Sequence, residues 1–408
     1  DFACDENGVP NPDTGKKDKS DYELKNSNSY ENCYRFVYDW RYDMLTIAGQ
    51  LDEYIDYVMS LTGSEKVALV AMSMGNAVTM TYLYEYYYAD EDYKQRNHID
   101  SVIFVAGAMN GVGCCEDPFS GNIKVDSTSL MRFMAELMRD NPDTKAIYYL
   151  LEGLYVMGAL DPLVEYVDNL TQELFAHGFN DSVTDTIATI PGFYALMSSE
   201  RYKETIAYLF NTPEKQEKYS ELIRKSDYYH DNVQTNGINI IQSLLDDGIN
   251  AAIIAEYGYS FMPLTSDNDR MTDGTIATDR ESFGATCAEV DGTLGENYKQ
   301  AKVCTCGGNH VSADNQIDAS TCAFPDITWF GKYLRHTSED KYIAELANLV
   351  IYSDEQITVW DYEEYPQFLI NLDGNSVVPL TTENAGETVP YEETTIMGSI
   401  IKKLRAIA

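Results

Sequence analysis

Ser73 lies in Ala71-Met72-Ser73-Met74-Gly75, between a short apolar run, Val67–Met72, and a helix-like segment, Asn76–Tyr88. A serine at the apex of a tight strand-to-helix turn is the setting of an exposed nucleophile. Such a turn asks for small side chains two positions before and after the serine, and Ala71 and Gly75 supply them. Met74, next in the chain, can offer its backbone N–H to a developing oxyanion. A serine hydroxyl is a weak nucleophile at neutral pH. It needs a histidine to take its proton and a carboxylate to hold that histidine.

The chain has five histidines, so the search for the base is short. His98 precedes an apolar strand, His177 and His230 fall among helical patterns, and His336 ends an expected helix. His310 alone occupies a Gly-Gly-Asn loop just after a late strand, and it is the expected base. For the acid, Asp273 in Asp-Gly-Thr-Ile is the choice, since a tight turn there can aim its carboxylate. Asp267, Asp269 and Asp291 are rivals in the same acidic region. A competing chemistry uses His310 differently: with Cys304 and Cys306 it could form a metal site, although Cys-x-Cys is less typical of zinc than Cys-x2-Cys.

The elements that must position these residues follow from periodicity. Cys33–Trp40 reads as a strand. Leu45, Ala48, Leu51, Ile55, Val58 and Met59 recur at helical spacing up to Gly63. Val67–Met72 is a short apolar run that suits a strand buried on both faces, and Ser101–Ala106 is another. From about Cys114 to Gly248 the pattern is mostly helical, with apolar faces in Leu130–Met138, Ile147–Met157 and Leu163–Phe175. Ala251–Tyr257 resumes the sheet and Gln300–Cys304 is a weaker strand. Helices are expected over Asp326–Leu334 and Asp340–Ile351. The tail from Thr358 is strand-like in YPQFLINL and ends in a short basic helix at Ser399–Ala406.

Composition narrows the function classes. The 408 residues are 44% hydrophobic and include 32 tyrosines, ample for a folded core. A net charge of −37 disfavours nucleic acid and tight docking on anionic membranes. No apolar run approaches the ~18 residues of a membrane span. The eight cysteines, Cys4, Cys33, Cys114, Cys115, Cys287, Cys304, Cys306 and Cys322, favour disulfides and an extracellular or cell-surface setting. No cofactor is expected, and oligomeric state is left open.

Tyr38–Arg41 (YDWR), the amphipathic helix after it and VALVAMSMGN together resemble the lecithin:cholesterol acyltransferase-like branch of α/β-hydrolase lipases. Thr-Asp-Gly-Thr-Ile around Asp273 looks like that family's acid segment. Gly307–Thr321 is similar to bacterial lipase segments carrying the catalytic histidine. The resemblance covers residues 33–112 and 251–336. Met72 departs from it, standing where the family usually has histidine.

The resemblance implies an α/β-hydrolase fold with a parallel central sheet in residues 33–112 and 251–352. A helical cap would occupy 113–250, a C-terminal extension 353–408, and a polar loop or insertion remnant 1–32. The order Ser73, Asp273, His310 is the α/β-hydrolase order. Expected chemistry is ester hydrolysis or acyl transfer on a lipid-like substrate, with thioesterase, amidase or peptidase action on the same triad, or a non-catalytic binding protein, as alternatives. The family places further strands and a Gly-rich oxyanion loop upstream of Asp-Trp-Arg. The chain as given is therefore expected to be an N-terminally shortened hydrolase.

Overall fold

The structure is a computed structural model that describes residues 3–11, 33–89, 91–94, 98–139, 141–174, 185–261, 263, 265, 268–304, 306–336, 343–372 and 376–387. These residues fall into two compact units. One is drawn from within Asp1–Ser120, Ala176–Ala251 and Ser353–Gln356, and the other from within Gly121–Phe175, Ala252–Tyr352 and Ile357–Ala408. The division runs through the expected 113–250 insertion. Most of residues 1–32, the Asp267 alternative and the Ser399–Ala406 helix lie outside the described residues.

In the first unit, helix α1 (Met44–Thr62) starts where the Asp43 carboxylate accepts from Thr46 N, and stops at Gly63 with φ 74°. Its face Met44, Ile47, Ala48, Leu51 and Ile55 is buried, as the spacing predicts. Strand β1 (Val67–Met72) leads through Ser73 into helix α2 (Met74–Leu83). Strand β2 (Ile99–Val105) pairs parallel to β1, with Ala68 opposite Ser101 and Met72 opposite Val105.

Two expectations fail here. Only Ala71 of β1 is buried and Val70 is 48% exposed, so the run is not covered on both faces. Cys33–Trp40 forms no strand. Its end curls instead, because Asp39 takes the Arg41 guanidinium in a two-point bond (Nε–Oδ1 2.9 Å, Nη2–Oδ2 2.6 Å) and also accepts from Arg41 N. Later helices of this unit, Ser199–Leu209 and Ser220–Tyr228, contribute to a core that includes Tyr194, Tyr202, Phe210 and Leu222, and helix Gly237–Asp246 buries Ile240, Ile241 and Leu244.

In the second unit, helices α3 (Ser127–Met138) and α4 (Lys145–Val156) share a small core of Met131 and Tyr148 with Leu160, the residue before helix α5 (Asp161–Leu174). Much of their apolar surface is left outside, with Leu150 65%, Val156 78% and Leu163 60% exposed. Among the described residues no single helix is long and apolar enough to cross a membrane; α4 and α5 pass that test only together, bent by 93°.

Strand β3 (Asn250–Tyr257) pairs parallel with β4 (Thr328–Lys332), Ile253 opposite Thr328. Helix α6 (Ala344–Ile351) follows. Strand β5 (Phe368–Asn371) then pairs parallel with β4, and β6 (Val377–Pro379) closes antiparallel on β5. Parallel strands and intervening helices make this an α/β unit.

Two more expectations are corrected in this unit. Gln300–Cys304 is irregular, because Ala301 N and Lys302 N donate to the Asp318 carboxylate and the Ser320 hydroxyl rather than to a neighbouring strand. The helix expected over Asp326–Leu334 is a single 3-10 turn, Pro325–Ile327, followed by β4. Thr328, Trp329 and Phe330 are good strand formers, and every residue of β4 is buried.

The chain leaves β4 through a tight turn in which Tyr333 has φ 58°. Leu334 folds back over Gly331, so a Cβ built there would lie 2.4 Å from Leu334 Cδ1. Gly331→Ala should therefore lower stability by about 1–3 kcal/mol through overpacking. Denaturant unfolding measures this, and an unchanged midpoint would show that the turn can yield.

Candidate active site

Ser73 has φ 51° and ψ −124°, a left-handed conformation that a residue with a side chain rarely adopts. Backbone bonds hold it there. Ser73 N donates to Val105 O at 3.1 Å, and Ser73 O accepts from Asn76 N at 3.0 Å and Ala108 N at 3.3 Å. Asn76, fully buried, completes the clamp: its Nδ2 donates to Ser73 O at 3.0 Å and to Val105 O at 2.9 Å.

Gly75 is less constrained than the turn suggested, since a Cβ there meets nothing within 4 Å beyond its own helix. Met74 is the first residue of α2, and the first N–H groups of a helix have no partner within it. The positive end of the helix dipole therefore sits beside Ser73. Asn76→Ala should cost about 1–3 kcal/mol by removing two side-chain hydrogen bonds from a buried site. Thermal unfolding that is indifferent to the substitution would remove Asn76 from this role.

In the second unit Asp273 is fully buried at the tip of a turn. Its Oδ1 accepts from Thr275 N at 2.7 Å and Ile276 N at 2.6 Å, and Gly274 supplies the φ of 98° that the turn needs. Its Oδ2 lies 2.5 Å from His336 Nδ1. His336 N also donates to Asp273 O at 3.1 Å, so the two residues are joined by backbone and side chain.

Burial pushes the Asp273 carboxyl up. The His336 charge, the His336 hydrogen bond and Ile276 N–H outweigh it, leaving the group below the ordinary carboxylate range. Beside it Glu281 is raised well above that range, first by burial and then by the charges of Asp273 and Glu256. Asp273 therefore carries the negative charge while Glu281 stays neutral.

The rival acids are engaged elsewhere. Arg132 on α3 bridges Asp269 at 2.5 Å and Asp291 at 3.0 Å, and both carboxylates are exposed.

His310, the expected base, does not reach Asp273. It is fully buried, with Nδ1 2.7 Å from Gln367 Oε1 and Nε2 3.3 Å from Cys306 Sγ. Sequence reasoning passed over His336 because TWFGKYLRH was read as a helix. As a strand, β4 delivers His336 just past its carboxyl end, where catalytic groups of parallel sheets collect. The β-formers Thr328, Trp329 and Phe330 were the available signal.

The turn bearing His336 is anchored by Arg335, which lies 4.0 Å over the Tyr259 ring and bonds Glu136 of α3 at 3.1 Å. His230 is buried within the first unit, its Nδ1 3.0 Å from Gln234 Oε1 and its ring stacked on Tyr202. His98 is partly exposed beside Asp56, and His177 lies outside the described residues.

Residues 28–122 match the family model described as lecithin:cholesterol acyltransferase. This segment resembles the lecithin:cholesterol acyltransferase family. It contains Asp39-Trp40-Arg41, α1, β1, Ser73 and β2, and so takes in the whole strand–serine–helix turn. No curated protein sequence matches the chain. The family's name describes an acyltransferase, and the matched segment is the part of the chain that holds the strained serine.

A carboxyl held below its usual range contributes stability above the unfolded value of about 3.9, and that contribution is lost as pH falls through the folded value. Asp273→Asn should therefore flatten the acid limb of the stability–pH profile. A limb as steep as that of the unsubstituted protein would contradict the His336–Asp273 pairing.

Proposed function

We propose that this chain is a serine acyl hydrolase or acyltransferase of α/β-hydrolase type, acting on lipid-like esters. Ser73 attacks the ester carbonyl, His336 takes its proton and returns it to the leaving alcohol, and Asp273 holds His336 in the required tautomer. Met74 N–H, at the start of α2, stabilises the tetrahedral oxyanion. A covalent acyl-serine then passes to water or to an acceptor alcohol.

The observation that carries this reading is the Asp273–His336 pair, taken with the left-handed Ser73 in a segment that resembles the acyltransferase family. The two parts are described on separate compact units, and their joint action is the substance of the proposal. The chain order Ser73, Asp273, His336 is that of α/β-hydrolases.

A lipid-like substrate is supported by the exposed apolar faces of α4 and α5, with Val156, Leu150, Tyr166 and Leu174 outermost. The acidic charge of −37 favours neutral over anionic lipid surfaces. An extracellular or cell-surface setting remains part of the proposal, one in which Cys304–Cys306 would stand in its oxidised form. Thioesters and amides would use the same groups.

A fluorophosphonate probe tests the assignment. The unsubstituted protein should label, Ser73→Ala should not, and His336→Ala should label at least about 10³-fold more slowly. Labelling of Ser73→Ala would exclude the nucleophile. Wild-type labelling of His336→Ala would exclude the base.

A further inference from the structure

His310 is surrounded by chemistry that the proposed triad does not use. Its Nε2 lies 3.3 Å from Cys306 Sγ and 3.7 Å from Asp326 Oδ1. Cys304 Sγ lies 3.6 Å from the same Asp326 oxygen. The four donor atoms of Cys304, Cys306, His310 and Asp326 fall within 4.8 Å of one another. Around a tetrahedral zinc ion, donors at zinc–ligand distances of about 2.0–2.3 Å stand about 3.4–3.8 Å apart. The three contacts quoted, 3.3, 3.7 and 3.6 Å, lie within a few tenths of an ångström of those edges. The two sulfurs are closer because they are joined as a disulfide.

The surrounding groups are arranged as a ligand set requires. Gln367 Nε2 donates to Pro325 O at 2.7 Å and Thr328 O at 3.0 Å, which turns Gln367 Oε1 toward His310. Oε1 can only accept, so the 2.7 Å contact places the proton on His310 Nδ1. The Nε2 lone pair then faces Cys306 and Asp326, the tautomer a metal needs.

Backbone N–H groups point at both sulfurs, Cys306 N to Cys304 Sγ and Gly308 N to Cys306 Sγ, each at 3.2 Å. Such bonds favour thiolate over thiol. Trp360 covers the group: its Nε1 donates to Asp326 Oδ1 at 3.1 Å and its ring stands edge-on to His310 at 5.1 Å. Gly308 is obligatory beneath that indole, since a Cβ there would lie 2.3 Å from Trp360 Cζ2.

We propose that Cys304, Cys306, His310 and Asp326 form a four-coordinate structural zinc site in the reduced protein, and that the Cys304–Cys306 disulfide is its metal-free, oxidised form. Two thiolates with an imidazole and a carboxylate select zinc over harder ions such as magnesium or calcium. Loading begins when a dithiol transfers two electrons and two protons to the disulfide, giving two cysteine thiols and the oxidised, disulfide form of the reductant. Zinc then displaces both thiol protons to solvent and forms two Zn–S bonds. The His310 Nε2 lone pair and one Asp326 oxygen complete the set. The oxidised form offers only the last two ligands and binds weakly.

The site does not depend on the triad. The test uses the full chain, reduced with a dithiol and freed of it by anaerobic gel filtration. Titration with zinc sulfate and elemental analysis should give about one zinc per chain. Cobalt in its place should give a thiolate-to-cobalt charge-transfer band. Both should vanish in Cys304→Ser/Cys306→Ser and persist in Cys287→Ser, with folding checked by circular dichroism. Gln367→Ala should weaken binding by about 10–100-fold, because it releases the His310 tautomer. Zinc retained undiminished by the double serine variant, cobalt without a thiolate band, or a reduced protein that takes up no zinc would each overturn the proposal.

Discussion

The second compact unit is organised around one divided carboxylate. Asp273 gives one oxygen to two backbone N–H groups of its own turn and the other to His336. The first pair of bonds fixes where the carboxylate points, and the last fixes the imidazole. Neither oxygen is left to water, since the side chain is fully buried. A buried charge is tolerable only with this degree of satisfaction. Neutral Glu281 behind it avoids a second negative charge in the same place.

The elbow at Ser73 shows the complementary principle, strain held by its surroundings. A left-handed serine is expensive, and the structure meets the cost with four bonds that converge on Ser73, one of them from the Asn76 amide. The sequence signal for this turn was the serine between small residues. The restraint itself comes from Asn76, whose side chain reaches both the elbow carbonyl and the end of β2.

Much of the fold was legible because it rests on periodicity. The helix ending at Gly63, the strand–serine–helix turn, β2, β3 and the strand in YPQFLINL all stand where spacing placed them. The turn at Asp273 was legible because Asp-Gly-Thr-Ile favours one. The histidine that meets it was not. Residues Asp326–Leu334 are apolar at intervals that suit a helix or a strand, and tertiary pairing with β3 decided for the strand. That single choice moved the histidine from a helix end to a sheet edge. His310, the expected base, stands instead among Cys306, Asp326 and Gln367. The even cysteine count suggested disulfides, and among the described residues Cys304 and Cys306 are joined.

Strand β4 links Asp326 at one end to His336 at the other, and all five of its residues are buried. Side chains alternate along a strand, so Trp329 and Gly331 share one face while Thr328, Phe330 and Lys332 share the other. Gly331 cannot carry a side chain without displacing Leu334. Sliding the strand by one position would bring Phe330 or Lys332 under that leucine. The spacing between the cysteine-flanked loop and the imidazole is therefore counted in whole residues. Loops on either side can lengthen or shorten through descent, but this interval can change only by rebuilding the packing on both faces at once.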